Sequence, residues 1–350
     1  MLDGLSVSVL ALIFIAAVGV VWAAGIWLAD TTDIISSRFH LGQAIGGIIL
    51  LAIGTNLPEL AITASAALRH NIGIAIGNLL GGIAIQTVVL VALDAAVKGK
   101  RPLTYRAASL TLVLEAALVT MVLTLSILGT RLPANLVFWR ITPQNLLIVI
   151  VWLAGIWILK VAPTRMSWAV KSADVQSKPA GHSQKSKDQT AGSTGVVLGK
   201  FAIACIATLG AGIALEQSGE ALAGHFGMSG VLFGATVLAA STSIPELATG
   251  ITSIRMDDDQ LAISDIFGGN AFLPVLFLLA SLLSGEAVLP HAQNTDIYLA
   301  ALGIAVTVVY IFGLILRPIK RYARLGLDSW IVLLTYLLGI AGLIFVRKGR

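Results

Sequence analysis

The stretch "GTNLPEL" at residues 54–60 places a glutamate directly after a proline inside a long apolar run. A second copy, "STSIPEL", occupies residues 241–247, so the two glutamates lie 187 residues apart. Aligned without a gap, residues 54–87 and 241–274 share ten of their thirty-four positions, including Thr-x-x-Pro-Glu and a downstream Gly-Gly. Apolar helices match by chance through Leu, Ala and Ile, but rarely through this pattern at a fixed spacing. The chain therefore contains an internal repeat.

The composition indicates an all-α integral membrane protein. The 350 residues are 57% hydrophobic and 12% charged, with a mean hydropathy of +0.91, whereas soluble domains are about 25% charged. Long apolar runs recur without the alternation of a β-barrel, and each can cross a hydrocarbon core of about 30 Å as a helix. The single cysteine, Cys205, excludes an internal disulfide.

The hydrophobic runs predict ten transmembrane helices in two sets of five. The halves are residues 1–162 and 196–350, joined by a polar cytoplasmic linker at 163–195 that is rich in Ser, Lys, Gln and Gly. The predicted spans are 7–29, 41–68, 72–97, 106–129, 143–162, 196–217, 228–255, 259–284, 296–316 and 329–346.

The repeat predicts an inverted topology. Each copy occupies the second and third helices of its half, and an odd number of helices per half makes the second copy enter from the opposite side, as in many secondary transporters. The loops on one side hold 17 of the 23 lysines and arginines, so the positive-inside rule predicts that both termini lie outside. Because the basic residues are spread over several loops, no nucleic-acid partner is expected.

The prolines of the repeat predict a break in each helix. Pro58 and Pro245 cannot donate a helical hydrogen bond, and each clashes with the carbonyl four residues earlier. A break frees backbone oxygens to face a cavity instead of lipid.

The residues beside the prolines predict a cation site. Thr55 and Glu59 are four residues apart and share a helical face, and Thr242 and Glu246 repeat this spacing. Carboxylate, hydroxyl and carbonyl oxygens are the hard ligands that calcium and similar cations prefer. The third helix of each half adds a polar residue at matched positions, Asn78 and Asp265.

The buried acids also suggest a mechanism. A charge at the bilayer centre costs about 2.5–3.5 kcal/mol on insertion scales, and two facing carboxylates repel each other unless a cation neutralises them. We therefore hypothesise that only the occupied site switches sides, which makes the protein an exchanger. No cofactor is expected; the partners are inorganic cations and the lipid bilayer.

"GTNLPEL" and "STSIPEL", followed by "AIGNLLGG" and "AISDIFGGN", resemble the two α-repeats of the calcium/cation antiporter superfamily, closest to the sodium/calcium exchanger branch. The resemblance implies two inverted five-helix halves in a prokaryotic cell membrane. It also implies a central site at which the repeat glutamates Glu59 and Glu246 bind calcium and sodium alternately. The neighbouring residues that the resemblance implies as further ligands are Thr55, Asn56, Thr242, Ser243, Asn78 and Asp265.

The chain departs from this family pattern near the expected site. Asn56 stands where the family usually has serine, and Ser241 replaces a glycine. "GGIAIQ" replaces the usual "GSNIFN" in the first copy, whereas the second copy keeps an asparagine, Asn270. These positions bear on ion selectivity.

The sequence leaves two alternative functions. A proton-coupled exchanger would use Asp265 or Glu115 to take the proton. A membrane-embedded enzyme is a more distant alternative, because the candidate nucleophiles Ser65 and Ser243 have no intramembrane histidine nearby in sequence. We therefore expect no enzyme activity.

The remaining acids have mainly structural interpretations. For Glu115, inside the fourth helix, a partnered structural carboxylate is as reasonable as an ion relay. For Asp257, Asp258 and Asp259, a solvated loop is favoured over a vestibule that attracts cations. We expect Glu216 and Glu220 to be solvated at the outer end of helix six.

Overall fold

The computed structural model describes residues 4–39, 52–107, 109–165, 192–228 and 233–348. These residues form helices and one short antiparallel hairpin, β1 (Arg321–Tyr322) with β2 (Leu325–Gly326). A π-helical turn covers Gly234–Leu238, and 3₁₀ turns cover Leu273–Val275 and Leu289–His291. The α-helices are α1 (Val7–Arg38), α2 (Ala52–Thr55), α3 (Leu57–Leu68), α4 (Ile72–Ala96), α5 (Leu103–Arg106), α6 (Leu110–Gly129), α7 (Pro143–Arg165), α8 (Thr194–His225), α9 (Ala239–Thr242), α10 (Ile244–Arg255), α11 (Asp259–Phe272), α12 (Leu276–Ser284), α13 (Asn294–Leu316) and α14 (Leu327–Lys348).

The helices have the length and composition of membrane spans. Within the described ranges, seven helical segments are long and apolar enough to cross a membrane, and two shorter apolar helices cover Leu57–Leu68 and Leu327–Leu343. The helical membrane class is confirmed. The number of ten spans stays a prediction, because parts of the second and seventh predicted spans, 41–51 and 229–232, lie outside the described residues.

Element boundaries recur at the 187-residue interval of the sequence repeat. α1 begins at Val7 and α8 at Thr194, and both helices have 32 residues. α3 and α10 both have 12 residues. After these two helices the chain turns at His70 and Asp257, which occupy equivalent positions and share a positive φ, 57° and 60°. The two halves therefore have matching local structure well beyond the 34 aligned residues.

The helix break predicted at each repeat proline is confirmed. α2 ends at Thr55 and α9 at Thr242, each followed by one turn residue before the next helix begins. That residue, Asn56 or Ser243, has φ and ψ of −89° and 14° or −81° and 0°, in the bridge region between helix and strand. Pro58 and Pro245 then occupy the first turn of the following helix, where a missing N–H costs little.

The most buried helices lie at the centre and carry the polar motif. In the membrane-length window of α4, 83% of residues are buried, compared with 22% for α7 and 28% for α8. The outer helices expose large apolar side chains, for example Ile15, Trp157 and Ile206. A surface of this kind is suited to contact with lipid. The bundle therefore has an apolar exterior around a packed core that contains polar residues.

Each long helix packs against the kinked helix of the other half. α1 lies along α8 and also contacts α10, while α8 contacts α3. Gly25 and Gly212, again 187 residues apart, make these contacts close: a Cβ at Gly25 would lie 2.8 Å from Cβ of Pro245, and a Cβ at Gly212 would lie 2.9 Å from the carbonyl oxygen of Pro58. The glycines thus bring α1 and α8 into backbone contact with the prolines beside the repeat glutamates.

Several helix ends differ from the predicted spans. α1 continues to Arg38, beyond the predicted end at residue 29, and α8 reaches His225 instead of 217. α7 ends at Arg165 and α8 begins at Thr194, so both enter the stretch 163–195 predicted as a linker; its residues 166–191 lie outside the described part of the chain. The length of a hydrophobic run reflects the thickness of the membrane. A helix can extend beyond that run into water, because its backbone hydrogen bonds continue there.

The predicted solvation of the peripheral acids is only partly correct. The side chain of Glu216 is fully buried, accepts a hydrogen bond of 2.9 Å from Ser65, and pairs with Arg69 at 3.2 Å. Glu220 is partly exposed and pairs with the same arginine at 2.9 Å. The Glu216 prediction was wrong because no sequence pattern indicates that the α3–α4 turn brings Arg69 to α8.

The Asp257–Asp259 loop is not uniformly solvated. Asp257 is exposed, as predicted, and lies 3.3 Å from Arg106. Asp258 caps α11 by accepting a hydrogen bond from the Leu261 N–H, and Asp259 is buried against Arg106 at 2.6 Å. The acids therefore fix the start of α11.

Candidate functional site

The two repeat glutamates stand at equivalent positions, the third residue of α3 and of α10. The break before each proline leaves backbone N–H groups at the helix start without intrahelical partners, and the positive end of the helix dipole favours a carboxylate there. Neither Asn56 nor Ser243 caps its helix with a side-chain hydrogen bond. Both glutamate side chains are fully buried.

The halves meet through reciprocal contacts between these motifs. The Thr242 hydroxyl lies beside the Glu59 carboxylate, and the Thr55 hydroxyl lies beside the Glu246 carboxylate. Glu246 also lies within electrostatic range of Glu59 and Asp265. The carboxylates of α3 and α11 therefore both lie within electrostatic range of the α10 carboxylate in the buried centre of the bundle.

Asp265 is held by two threonines, one from each half. Thr55 donates to Oδ1 of Asp265 at 3.3 Å, and Thr249 donates to Oδ2 at 2.5 Å. Thr249 lies one turn after Glu246 on α10 and so occupies the same helical face. The two hydroxyls fix the orientation of the third carboxylate.

α4 contributes an amide that reaches the first glutamate. Gln86 donates to Oε1 of Glu59 at 3.0 Å and to Oδ1 of Asn56 at 3.4 Å. Asn56 in turn donates to Thr55 at 3.4 Å. Its amide nitrogen lies against Gly269, where a Cβ would come within 2.5 Å of it. The departures at Asn56 and "GGIAIQ" therefore meet in one network around Glu59.

Several polar atoms of the centre have no hydrogen-bond partner within the described residues. They belong to fully buried side chains, and a buried polar atom without a partner costs about 1–3 kcal/mol, or more when charged. These atoms are Oε2 of Glu59, both carboxylate oxygens of Glu246, both amide atoms of Asn78, Oε1 of Gln86 and Oδ1 of Asn270. All except the amide nitrogen are oxygens, which suits a hard cation.

The hydroxyl groups at the second helix break are oriented in a way that is compatible with binding a cation through their oxygens. Thr242 and Ser243 both donate to the carbonyl of Ala239, at 3.2 and 2.7 Å. Because their hydrogens are used by the backbone, their lone pairs are the groups left for the central space. A hydroxyl with a committed hydrogen can act as a ligand to a cation.

The predicted site residues do not all interact. All eight are buried, but Asn78 has no hydrogen bond to the other seven within the described ranges, and the Ser243 hydroxyl bonds to its own helix. In the part of the chain that the structure describes, no three His, Cys, Asp or Glu side chains are arranged to hold a metal ion. A cation at the centre would therefore also need hydroxyl, amide or backbone oxygens.

Gln86 and Thr249 belong to the cluster but were not predicted from the sequence. Gln86 follows Asn78 by eight residues, about two helical turns, so a polar stripe on α4 was the available signal. Thr249 follows Glu246 by three residues on the same face. Both could have been found by helical periodicity within each copy, although the repeat itself does not mark them.

Glu115 lies outside this cluster. It is buried on α6 and accepts a hydrogen bond of 3.1 Å from Ser264, the residue before Asp265 on α11. Its other carboxylate oxygen has no partner in the described chain. Ser264 is thus a partner for Glu115, which agrees with the interpretation of Glu115 as a partnered structural carboxylate.

Comparisons with known proteins identify the relatives of this architecture. The chain matches the model of the sodium/calcium exchanger protein family over residues 9–171 and 196–345. It is 28% identical over 277 residues to the inner membrane protein YrbG of Escherichia coli (strain K12), covering 77% of this chain and 78% of the relative. It is 27% identical over 254 residues to the putative antiporter CaxA of Alkalimonas amylolytica, covering 71% and 73%.

A solved structure shares the fold. The sodium-calcium exchanger NCX_Mj, soaked with 10 mM Na⁺ and zero Ca²⁺, superposes with a TM-score of 0.61 over 96% of this chain and 99% of its own. The identity between the two sequences is 17%, so the likeness concerns the fold alone.

Proposed function

Since the chain belongs to the sodium/calcium exchanger protein family, a family of membrane transporters, we propose that it is a secondary active antiporter that exchanges Ca²⁺ for Na⁺. Exchange occurs by alternating access at the centre of the bundle. The observation that carries the proposal is the reciprocal placement of Glu59 and Glu246, buried together with unpaired carboxylate oxygens.

The charge of the site supports a cation as substrate. Glu59, Glu246 and Asp265 converge, while the salt bridges of the described residues involve acids elsewhere. Buried like charges repel one another in a medium of low dielectric constant, and bound cations remove that repulsion. The ligands we propose are Glu59, Glu246, Thr55, Asn56, Thr242, Ser243, Asn78 and Asp265, with Gln86 and Thr249 as supporting residues.

The same electrostatics support exchange instead of leak. A change of access requires the site to be closed from water on both sides at some stage. With ions bound, the closed site is nearly neutral; without ions, the facing carboxylates would be desolvated without compensation. The protein then changes access only with ions bound. Outward transport of one ion species must therefore be followed by inward transport of another.

We further propose ten spans in two inverted five-helix halves, residues 1–162 and 196–350, with both termini outside. The equal lengths of α1 and α8, and of α3 and α10, support the repeat. The reciprocal contacts of Gly25 with Pro245 and of Gly212 with Pro58 support a two-fold relation between the halves.

The decisive experiment is calcium uptake into sodium-loaded proteoliposomes containing the purified protein. We expect Glu59→Gln and Glu246→Gln each to abolish uptake, because each removes a charge from the site without changing its shape. Glu286→Gln is the matched control, since Glu286 is an exposed acid outside the site, and it should transport normally. Thermal unfolding in detergent verifies that the variants are folded. Normal uptake by both site variants would reject the assignment.

The coupling ion is tested with the same vesicles. Calcium uptake should follow an outward sodium gradient and should not be replaced by an outward proton gradient of the same size. Uptake driven by protons alone would favour the proton-coupled alternative.

A further inference from the structure

An open pocket of about 710 Å³ lies at one end of the bundle, away from the buried centre. Its walls are the end of α4 with the following loop and, from the other half, the β1–β2 hairpin. The charged residues that line it are Lys98, Lys100, Arg321 and Arg324, and no acidic residue is among the lining residues. The pocket therefore carries a concentrated positive charge.

Arg321 is fixed in the pocket wall without being neutralised. Its guanidinium donates to the backbone carbonyls of Val97 and Gly99 at 3.0 Å each, and to those of Asp94 and Arg324. Carbonyl oxygens satisfy the N–H groups but leave the net charge of the side chain in place. The hairpin is thereby attached to the end of α4 by a cation that forms no salt bridge within the described residues.

The other three cations are exposed and available. Lys98, Lys100 and Arg324 are exposed, and none forms a salt bridge within the described ranges. Arg101 and Arg317 add positive charge at the same end, where both stack on the Tyr105 ring. An anionic ligand would meet several cations that form no salt bridge with an acid in the described part of the chain.

The pocket lies beside the ends of membrane-length helices. α4 and α13, both membrane-length helices, end beside it at Ala96 and Leu316. Large apolar side chains next to the hairpin are exposed, among them Leu316 at 75% and Ile319 at 57%. Trp330 donates to the carbonyl of Tyr322 at 2.9 Å, and both are aromatic residues of the kind found at membrane interfaces. A ligand in this pocket can extend apolar chains along the outside of the bundle.

We propose that this pocket binds the phosphate headgroup of an anionic phospholipid. The fixed Arg321 and the exposed lysine and arginine side chains contact the phosphate, and the acyl chains lie against the apolar surface near Ile319. Because the walls come from both halves of the chain, the lipid connects the end of α4 to the β1–β2 hairpin. Basic pockets between transmembrane helices bind anionic headgroups in this way.

The test measures lipid binding to the purified full-length protein by native mass spectrometry. The pocket variant is Lys98→Gln/Lys100→Gln/Arg324→Gln, which leaves Arg321 and its carbonyl contacts intact. The matched control is Lys160→Gln/Lys200→Gln/Arg255→Gln, which removes three exposed cations outside the pocket. The probes are phosphatidylglycerol, phosphatidylcholine and inorganic phosphate, and the double variant Lys98→Gln/Lys100→Gln serves if the triple variant is unstable.

We expect the pocket variant to bind phosphatidylglycerol about a hundredfold more weakly than the wild type, about fivefold for each cation removed. The control should bind it as the wild type does, and phosphatidylcholine should bind weakly to all three proteins. An equal loss in both triple variants would mean that overall charge, not the pocket, binds the lipid. Displacement of the lipid by an equal concentration of inorganic phosphate would identify free phosphate as the ligand. Either result overturns the proposal.

Discussion

The three central acids differ in how the protein holds them. Glu59 receives a hydrogen bond from Gln86, and Asp265 receives one from each of two threonines. Neither oxygen of Glu246 accepts a hydrogen bond within the described residues. Under the proposed function, Glu246 is therefore the acid that depends most on a bound cation, whereas Glu59 and Asp265 are oriented before an ion arrives.

The charge of Asp265 should favour the divalent ion. Asp265→Asn removes one negative charge and gives the second half the residue that the first half has at Asn78. We expect the half-saturation concentration for Ca²⁺ to rise by about tenfold or more, because a lost charge-assisted contact costs about 1.5–3 kcal/mol. The value for Na⁺ should rise less, since a monovalent ion has half the charge. Both are measured in vesicles, with the exposed Asp257→Asn as control; equal changes for the two ions would contradict the prediction.

Gln86 should act through the position of Glu59. Gln86→Ala removes the amide that donates to Oε1 of Glu59. We expect calcium to bind about tenfold to a hundredfold more weakly, the range for losing a hydrogen bond to a charged group. The control Gln260→Ala removes a glutamine elsewhere in the chain, in the first turn of α11, and should leave calcium binding unchanged. Isothermal titration with Ca²⁺ in detergent measures both variants.

The sequence predicts the acids of the site better than their partners. Duplication marks Glu59 and Glu246, because the same residues recur at a fixed interval in apolar runs. Gln86 has Leu273 at the equivalent position, so the repeat gives no signal for it. Asn78 shows the reverse problem: the repeat pairs it with Asp265, yet the structure gives it no hydrogen bond to the cluster in the described chain.

Among the elements, the long helices α1 and α8 determine how closely the halves approach. Each is attached by a glycine to the proline of the other half, Gly25 to Pro245 and Gly212 to Pro58. The prolines were identified from sequence as helix breaks. Their contact with α1 and α8 depends on tertiary packing, which the sequence does not specify, just as hydropathy did not specify where these helices end.

Adding a methyl group at these two contacts should separate the helices. A Cβ at Gly25 would lie 2.8 Å from Cβ of Pro245 and 3.2 Å from its Cα, and at Gly212 it would lie 2.8 Å from Cβ of Ala61. We expect Gly25→Ala and Gly212→Ala each to lower the free energy of unfolding by about 1–3 kcal/mol, the usual cost of overpacking.

The same helices provide matched controls for the glycine variants. A Cβ at Gly19 or Gly210 would have no atom within 4 Å, apart from its own neighbours. Gly19→Ala and Gly210→Ala should be neutral or stabilising, because alanine is the better helix former by about 0.5–1 kcal/mol. Thermal unfolding in detergent compares all four variants. Equal melting temperatures for the contact and control variants would show that the approach is not tight.

At the scale of the whole molecule, the two halves are interlocked and not merely adjacent. α1 lies along α8, α13 packs against both α4 and α6, and α11 contacts α2. Most of the central site therefore needs both halves: Asp265 bonds to Thr55, and Glu246 lies within electrostatic range of Glu59. Neither half alone contains the complete set of proposed ligands.

Separate expression of the halves should test this interdependence. Residues 1–162 and 196–350, produced together as two chains, should associate and exchange calcium for sodium, because the contacts between the halves are extensive and the stretch 163–195 supplies no proposed ligand. Each half produced alone should be unstable, since its polar residues would lack partners in the membrane. Co-purification through a tag on one half, followed by vesicle uptake, gives the result. Exchange by a single half would contradict the two-half site.

Aspartate in one half and asparagine at the equivalent position in the other make the protein uneven across its proposed two-fold axis. Under the inverted arrangement proposed above, the outward-open and inward-open states are not equivalent. Asp265 and Asn78 occupy opposite positions relative to the open side in the two states. The carrier then rests preferentially toward one compartment, and its apparent affinities for the same ion differ on the two faces. The ion gradients alone still fix the final equilibrium. The uneven distribution of charge instead determines the rate of exchange in each direction.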